Sequence, residues 1–198
     1  MNLIAHIHLA GSNEDWIVGN MVADFIRGKE KFNFTPTEIE GIDIHRFIDY
    51  FTDHHVLVEK AIEFIKPVHK KYSPVIMDIF FDYVLTNNWA HFSNESLVDF
   101  SKKRYEILER KYDTFPDNLT NLLRHLISED WIIATSTEDY LRKTMARMDK
   151  RTSFPSKFEE SVDLLLEHYE SITELFIPFY KEMAEGVEDY CYLIEKKK

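Results

Sequence analysis

The sequence predicts an all-α protein folded as a single compact helical domain over residues 1–198, and three observations carry that reading. Turn punctuation is sparse: 5 Gly and 6 Pro in 198 residues fall well below the roughly 7% and 5% of ordinary chains, which leaves little material for a many-stranded sheet. Helix start signals recur along the chain, each a side-chain oxygen placed to satisfy the orphan amides of a first turn. Apolar residues repeat at three and four, as at Val162, Leu165, Leu166, Tyr169 and Ile172, which is the spacing of one buried helical stripe. A length of 198 residues with 44% hydrophobic and 14% aromatic residues suits one globular domain with a sizeable core.

In chain order, a short apolar helix is expected near 2–10. Ser12-x-x-Asp15 precedes a helix near 13–27 that Gly28 closes. Thr35-Pro36-x-Glu38 combines a capping box with proline in the first turn and opens 36–52. A helix near 54–65 follows, then one near 74–91 announced by Ser73-Pro74, and one near 94–112. Asp117 after Pro116 starts 117–127, followed by 128–134 and 137–150. Ser156-x-x-Glu159 opens 156–175, and 178–195 completes the set.

Charge excludes some functions. The formal net charge is −11 and the pI about 5.3, so no global field attracts nucleic acid. The charge is unevenly spread, however. Residues 101–157 alone are net positive, with 12 basic and 9 acidic groups, and 142–157 hold Arg142, Lys143, Arg147, Lys150, Arg151 and Lys157 against Asp149. That segment reads either as a helix C-terminus complementing the macrodipole or as a patch for an anionic partner. A single cysteine, Cys191, rules out an intramolecular disulfide and cysteine-held zinc and fits a reducing compartment. No leader-like or membrane-spanning run occurs, so a cytoplasmic protein is expected.

Two stretches concentrate the chemistry. In Gly41–Asp53 the residues His45, Asp49 and Asp53 are spaced by four and share one helical stripe beside the apolar face of Ile44, Phe47, Ile48 and Phe51. In Pro74–Leu85 the carboxylates of Asp78 and Asp82 sit in a helix apolar on every side. Such a helix is buried, and a buried carboxylate costs several kcal/mol unless a cation or hydrogen-bond donors compensate it. A divalent cation is one partner; Arg or Lys is the other. Asp24 has similar apolar neighbours, and His6 lies on the N-terminal segment. Asp49 and Asp53 have an alternative use in capping or in pairing with Arg46. Imidazole and carboxylate without thiolate suit Mn, Fe, Mg or catalytic Zn. The Glu-x-x-His pattern of di-iron bundles, Gly-x-Ser-x-Gly, the P-loop and the dinucleotide fingerprint are all absent.

Taken together, Asn2-x-x-Ala5-His6, Gly19-Asn20-x-x-Ala23-Asp24-Phe25-x-x-Gly28, Gly41-Ile42-x-x-His45-Arg46-x-Ile48-Asp49-x-x-Thr52-Asp53 and Asp78-Ile79-x-x-Asp82 with Asn88-Trp89 resemble the acyl carrier protein phosphodiesterase family. The resemblance continues more weakly around Trp131 and Met145-Ala146-Arg147-Met148. It implies an HD-domain-like helical fold with rearranged helix order, a divalent metal of the Mn type, and acyl carrier protein as partner. It also implies hydrolysis of the phosphodiester joining 4′-phosphopantetheine to a serine of that carrier. Position by position it implies a metal set of His6, Asp24, His45 and Asp82. Asp24, Asp49 and Asp78 are implied as catalytic carboxylates, with Asp53 in support, and Arg46 as a phosphate contact. Arg147 and Arg151, from the basic segment, are the expected carrier-binding residues. Where the family reads Asp-His-Phe, this chain has Asp82-Tyr83-Val84: if that histidine is a ligand or general acid, activity here is altered or lost, and if it is a supporting group, the Tyr83 hydroxyl can hydrogen-bond in its place. The rival readings are an HD-type phosphohydrolase acting on a nucleotide and a non-catalytic carrier-binding helical protein.

Overall fold

The computed structural model describes residues 3–151 and 157–196. Among them the chain forms twelve α-helices and no strand, as the scarcity of Gly and Pro requires. The helices are α1 (Leu3–Leu9), α2 (Glu14–Val22), α3 (Pro36–Asp53), α4 (Val56–Glu63), α5 (Lys66–His69) and α6 (Ser73–Asn87), followed by α7 (Leu97–Arg110), α8 (Asp117–Ser128), α9 (Trp131–Ala134), α10 (Glu138–Asp149), α11 (Ser161–Glu167) and α12 (Tyr169–Glu195).

Helix α6 is the hub. Ile76, Met77, Phe80, Phe81, Val84 and Leu85 are buried around its circumference, and α1, α4, α10 and α12 pack against it. A helix apolar all round can be stable only in such a place. Helix α12 runs along α3, α4 and α6 and buries Ile172, Phe176, Phe179, Tyr180, Met183 and Val187.

The start of α3 is set by the expected side chain, whereas α2, α6 and α8 are not capped by the expected Ser12, Ser73 and Asp117. The Thr35 hydroxyl accepts from the Glu38 amide at 3.2 Å while the Glu38 carboxylate accepts from the Thr35 amide at 2.8 Å. This is a complete capping box, the kind of feature that contributes about 1 kcal/mol. At α2 the cap is Asn13 and not Ser12: its Oδ1 accepts from the Asp15 and Trp16 amides. At α6 Ser73 lies inside the first turn and no side chain caps it.

Two boundaries differ from expectation. The helix expected over 13–27 ends at Val22, and a 3₁₀ turn at Gly28–Asn33 follows; Gly28 takes a positive φ of 53° that few other residues tolerate. The C-terminal break expected between 175 and 178 falls at His168, and α12 runs through Pro178. Proline removes the donor that the carbonyl of Glu174 would use. Both Pro178 and Glu174 are exposed, so that carbonyl lies on the solvent side where water can serve it. Ser156 lies outside the described residues.

Helices α2 and α3 meet backbone to backbone. A Cβ on Gly19 would lie 2.0 Å from the Glu38 carbonyl oxygen and 2.7 Å from Gly41 Cα, and one on Gly41 would lie 2.5 Å from the Trp16 carbonyl oxygen. No side chain fits there. Gly186 in α12 is different, since its Cβ would meet only the Phe47 and Phe51 rings at 3.5 Å.

Gly19→Ala therefore forces two backbones apart and is expected to cost about 3 kcal/mol or more, read by urea denaturation. Gly186→Ala fills an ordinary van der Waals gap in a helix and is expected to gain up to about 1 kcal/mol. Equal effects of the two changes would refute the account of the crossing.

Candidate functional site

The α2–α3 crossing brings together residues far apart in sequence. Helix α3 contributes His45 and Asp49 from one stripe, α1 contributes His6, α2 contributes Asn20, and the turn after α2 contributes Asp24. His45 Nε2 lies 3.1 Å from Asp49 Oδ2 and 3.2 Å from Asp24 Oδ1. His6 Nε2 lies 3.2 Å from Asp49 Oδ1, and the two imidazoles stack with ring centroids 3.9 Å apart. Both histidines are buried, while Asp24 is open to solvent. The cluster thus has a dry floor and a wet mouth.

Hydrogen-bond bookkeeping shows what the cluster lacks. Asn20 Nδ2 donates to the Trp16 carbonyl at 3.5 Å, which leaves Asn20 Oδ1 to accept from His6 Nδ1 at 3.1 Å. The ring proton of a neutral His6 then sits on Nδ1, and Nε2 presents a lone pair to Asp49. Burial lowers His6 to about 4 against the pull of Asp49, so a second proton on its ring is disfavoured at neutral pH. His45 is the opposite case: burial disfavours its charge, but Asp24 and Asp49 outweigh burial and raise it to about 9. Neither ring nitrogen of His45 has an aligned hydrogen bond among the described residues.

Burial works against the Asp49 charge, yet the His45 imidazole above all holds its carboxyl well below the usual range. The His45 contact also lowers Asp24. One ligand atom from each of His6, His45 and Asp49 lies within 4.8 Å of the others, and the imidazole–carboxylate donor set fits a divalent cation of the Mn, Fe or Zn kind. Asn20 was not assigned a role from the sequence. The available signal is its spacing of four from Asp24 in the Gly19–Asp24 stretch.

The other expected site residues fall elsewhere. Asp82 lies apart from the His6–His45–Asp49 group: its carboxylate accepts from the α1 amides of Ile4 at 3.0 Å and Ala5 at 3.3 Å. Those backbone donors at a helix N-terminus offset part of the cost of its burial. Asp78 lies between two clefts. One, of about 420 Å³, is also lined by Arg147 and Arg151; the other is lined by Asp53, His54 and His55. Burial first, and then the Asp49 and Asp53 charges, raise its carboxyl. Arg46 is exposed and pairs with Asp43 at 3.2 Å, outside the cluster. Tyr83 packs against Phe80 and Tyr169, so the departure from the family pattern removes no member of the histidine–aspartate group.

The basic segment is less cationic in space than in sequence. Arg142 bridges Glu138 and Asp163, Lys143 meets Asp139, Lys157 meets Glu160 and Arg147 meets Glu129 at 3.3 Å. What distinguishes Arg147 and Arg151 is their shared cleft.

Asp82 gives a test through pH. Burial, against the two amides, pushes its carboxyl from 3.8 up to about 7. The native state therefore holds a proton between about pH 4 and 7 that the unfolded chain has released, and stability falls as pH rises through that window. Asp82→Asn is expected to flatten the pH dependence of unfolding between pH 4.5 and 7.5, by up to about 4 kcal/mol. An unchanged slope would show that Asp82 is charged throughout.

Comparison with known proteins gives a consistent result. A model of the family described as "Acyl carrier protein phosphodiesterase" matches residues 1–183. A protein named acyl carrier protein phosphodiesterase from Escherichia coli O6:H1 is 30% identical over 186 residues, covering 93% of this chain and 96% of the relative. Its namesake from Klebsiella pneumoniae strain 342 is 29% identical over 190 residues, covering 96% and 98%. The namesake from Enterobacter sp. strain 638 is 29% identical over 184 residues, covering 92% and 95%. No solved structure matches the chain. The family match spans nearly the whole chain, and the relatives align over almost their full length: this chain belongs to the acyl carrier protein phosphodiesterase family.

Proposed function

We propose that the chain hydrolyses the phosphodiester joining 4′-phosphopantetheine to a serine of acyl carrier protein, returning the apo carrier, and that it does so with a divalent metal, Mn first. The observation that carries this reading is the convergence of His6, His45 and Asp49, one ligand atom from each lying within 4.8 Å of the others. His6, His45 and Asp49 would hold the metal, with Asp24 at its open side. Such an ion lowers the pKa of a bound water and polarises a phosphoryl oxygen. His-and-Asp ligation from adjacent helices is the chemistry of HD-type phosphohydrolases, and that kinship is part of the proposal.

The remaining work falls to the chain itself. Water adds to phosphorus, the P–O bond to serine breaks, and the serine oxygen gains a proton. Asp78 suits that proton transfer: burial raises its carboxyl, and a group nearer neutrality both holds and releases a proton. Asn20 fixes the His6 tautomer, so the lone pair on Nε2 always faces Asp49. Arg147 and Arg151 offset phosphate charge at the cleft they share with Asp78. Cys191 is a free thiol, which fits the reducing cytoplasm we propose as its compartment, and no described helix is long and apolar enough to cross a membrane.

Mass spectrometry of holo-acyl carrier protein incubated with the protein and Mn is expected to show loss of the phosphopantetheine mass. His45→Ala is expected to abolish both metal uptake and turnover, and Asp78→Asn to lower kcat roughly 100-fold or more with metal content unchanged. Arg147→Glu with Arg151→Glu is expected to weaken carrier binding in a salt-sensitive way without removing metal. Protein that takes up no divalent ion, with turnover indifferent to His45→Ala, would refute the reading.

A further inference from the structure

The 3₁₀ turn at Gly28–Asn33 carries side chains that neither the core nor the histidine–aspartate cluster uses. Its flanks are tied down: Phe25 and Ile26 before it and Phe34 after it pack against the core, and the Arg27 amide donates to the Glu30 carboxylate at 2.6 Å. Phe32, between those anchors, is 67% exposed, and the Lys31 ammonium lies 5.3 Å from its ring centroid. Arg27 and Lys29 are exposed too. Among the described residues no carboxylate forms an ion pair with Arg27, Lys29 or Lys31. Residues 142–157 differ, since Arg142, Lys143, Arg147 and Lys157 each meet a carboxylate there. A single exposed ring is ordinary on a protein surface, but this one stands among three unpaired cations. Chain continuity also keeps the turn close to the open side of the cluster: Arg27 is three residues from Asp24, so at most about 11 Å separates their Cα atoms.

We propose that this turn is a docking surface for the carrier protein, with Arg27, Lys29 and Lys31 facing an acidic patch beside the carrier's modified serine and Phe32 seated in an apolar spot on that patch. The inference rests on the function proposed above and adds where the protein half of the substrate is held. The bond broken in that reaction is on the serine itself and not at the far end of the arm. The carrier's own surface must therefore come down on the mouth of the cluster and cover what surrounds Asp24, whose side chain is 68% exposed. Charge complementarity selects the kind of surface that fits. The chain as a whole carries −11, whereas residues 27–31 set three cations against the single acid Glu30. An acidic partner is thus repelled by the molecule at large and attracted at this rim, which orients it on approach. Phe32 supplies the apolar contact that a purely ionic patch lacks.

The test is binding of apo-acyl carrier protein to the whole protein, measured by fluorescence anisotropy of labelled carrier over a salt series. The apo form lacks phosphopantetheine, so neither the arm nor the chemistry enters the reading. Saturable binding that weakens as salt rises is expected. Arg27→Glu, Lys29→Glu and Lys31→Glu together are expected to weaken it roughly tenfold or more and to flatten the salt series. Phe32→Ser is expected to weaken it about fivefold at every salt concentration. Lys60→Glu, Lys102→Glu and Lys181→Glu together make the same change in total charge from exposed positions on α4, α7 and α12, and are expected to weaken binding less than about threefold. Melting temperatures report whether each variant is folded, and Lys29→Glu alone, with an expected loss of about threefold, serves where the triple change does not fold. Apo carrier that fails to bind, or that binds the folded turn variants as well as the parent, would overturn the assignment. So would equal losses in the two triple variants, the signature of total charge alone, or anionic lipid vesicles that bind the turn where the carrier does not. Carrier that docks through the turn but is never cleaved in its holo form refutes the preceding function and leaves the docking surface standing. Holo-carrier that is cleaved with a KM indifferent to the turn variants does the reverse.

Discussion

Backbone contact between α2 and α3 at Gly19 and Gly41 is the constraint on which the rest depends. Because neither position carries a Cβ, the two helices approach closely enough for Asp24 to reach His45 on the α3 stripe, while Asn20 meets His6 of α1. A larger residue at either place would widen the crossing and withdraw Asp24 from His45, now at 3.2 Å. The α1 helix is fixed by a second device. Asp82 on the central α6 accepts from the Ile4 and Ala5 amides, which sets α1 along α6 and presents His6 to the same cluster. Sterics on one side and a helix N-terminus on the other thus place three chain segments around Asp49.

The electrostatics of that meeting point are lopsided by design of the packing. Two stacked imidazoles share a carboxylate, yet burial lowers His6 to about 4 while the flanking carboxylates raise His45 to about 9. Neighbouring like charges would repel, so the pair holds one positive charge and one lone pair. On the proposed function, His6, His45 and Asp49 would hold a divalent ion, and His45 would have to lose its proton to join them.

Much of this was legible in the residues, though unevenly. The stripe His45, Asp49 could be read because a helix repeats every 3.6 residues and fours fall on one face. The cost of burying Asp78 and Asp82 was also readable, since an all-round apolar helix has no exposed side. What supplied the compensation was not readable: for Asp82 it is backbone from 77 and 78 positions away. The basic segment illustrates the converse error of counting charge along the chain, because Asp163, Glu160 and Glu129 fold back to neutralise much of it. The α12 helix runs through Pro178, where the carbonyl left without a donor, that of Glu174, lies on the solvent side.

By itself the sequence determined the helical class, the capped start of α3, the acidic character, and the imidazole–carboxylate chemistry, because these follow from local periodicity and residue type. Tertiary structure alone decided which carboxylate meets which histidine, that Asp82 anchors α1, and that Asn20 fixes a tautomer. The physical reason is that helix formation is satisfied within four residues of chain, whereas a buried charge or donor takes its partner from whatever the fold places beside it.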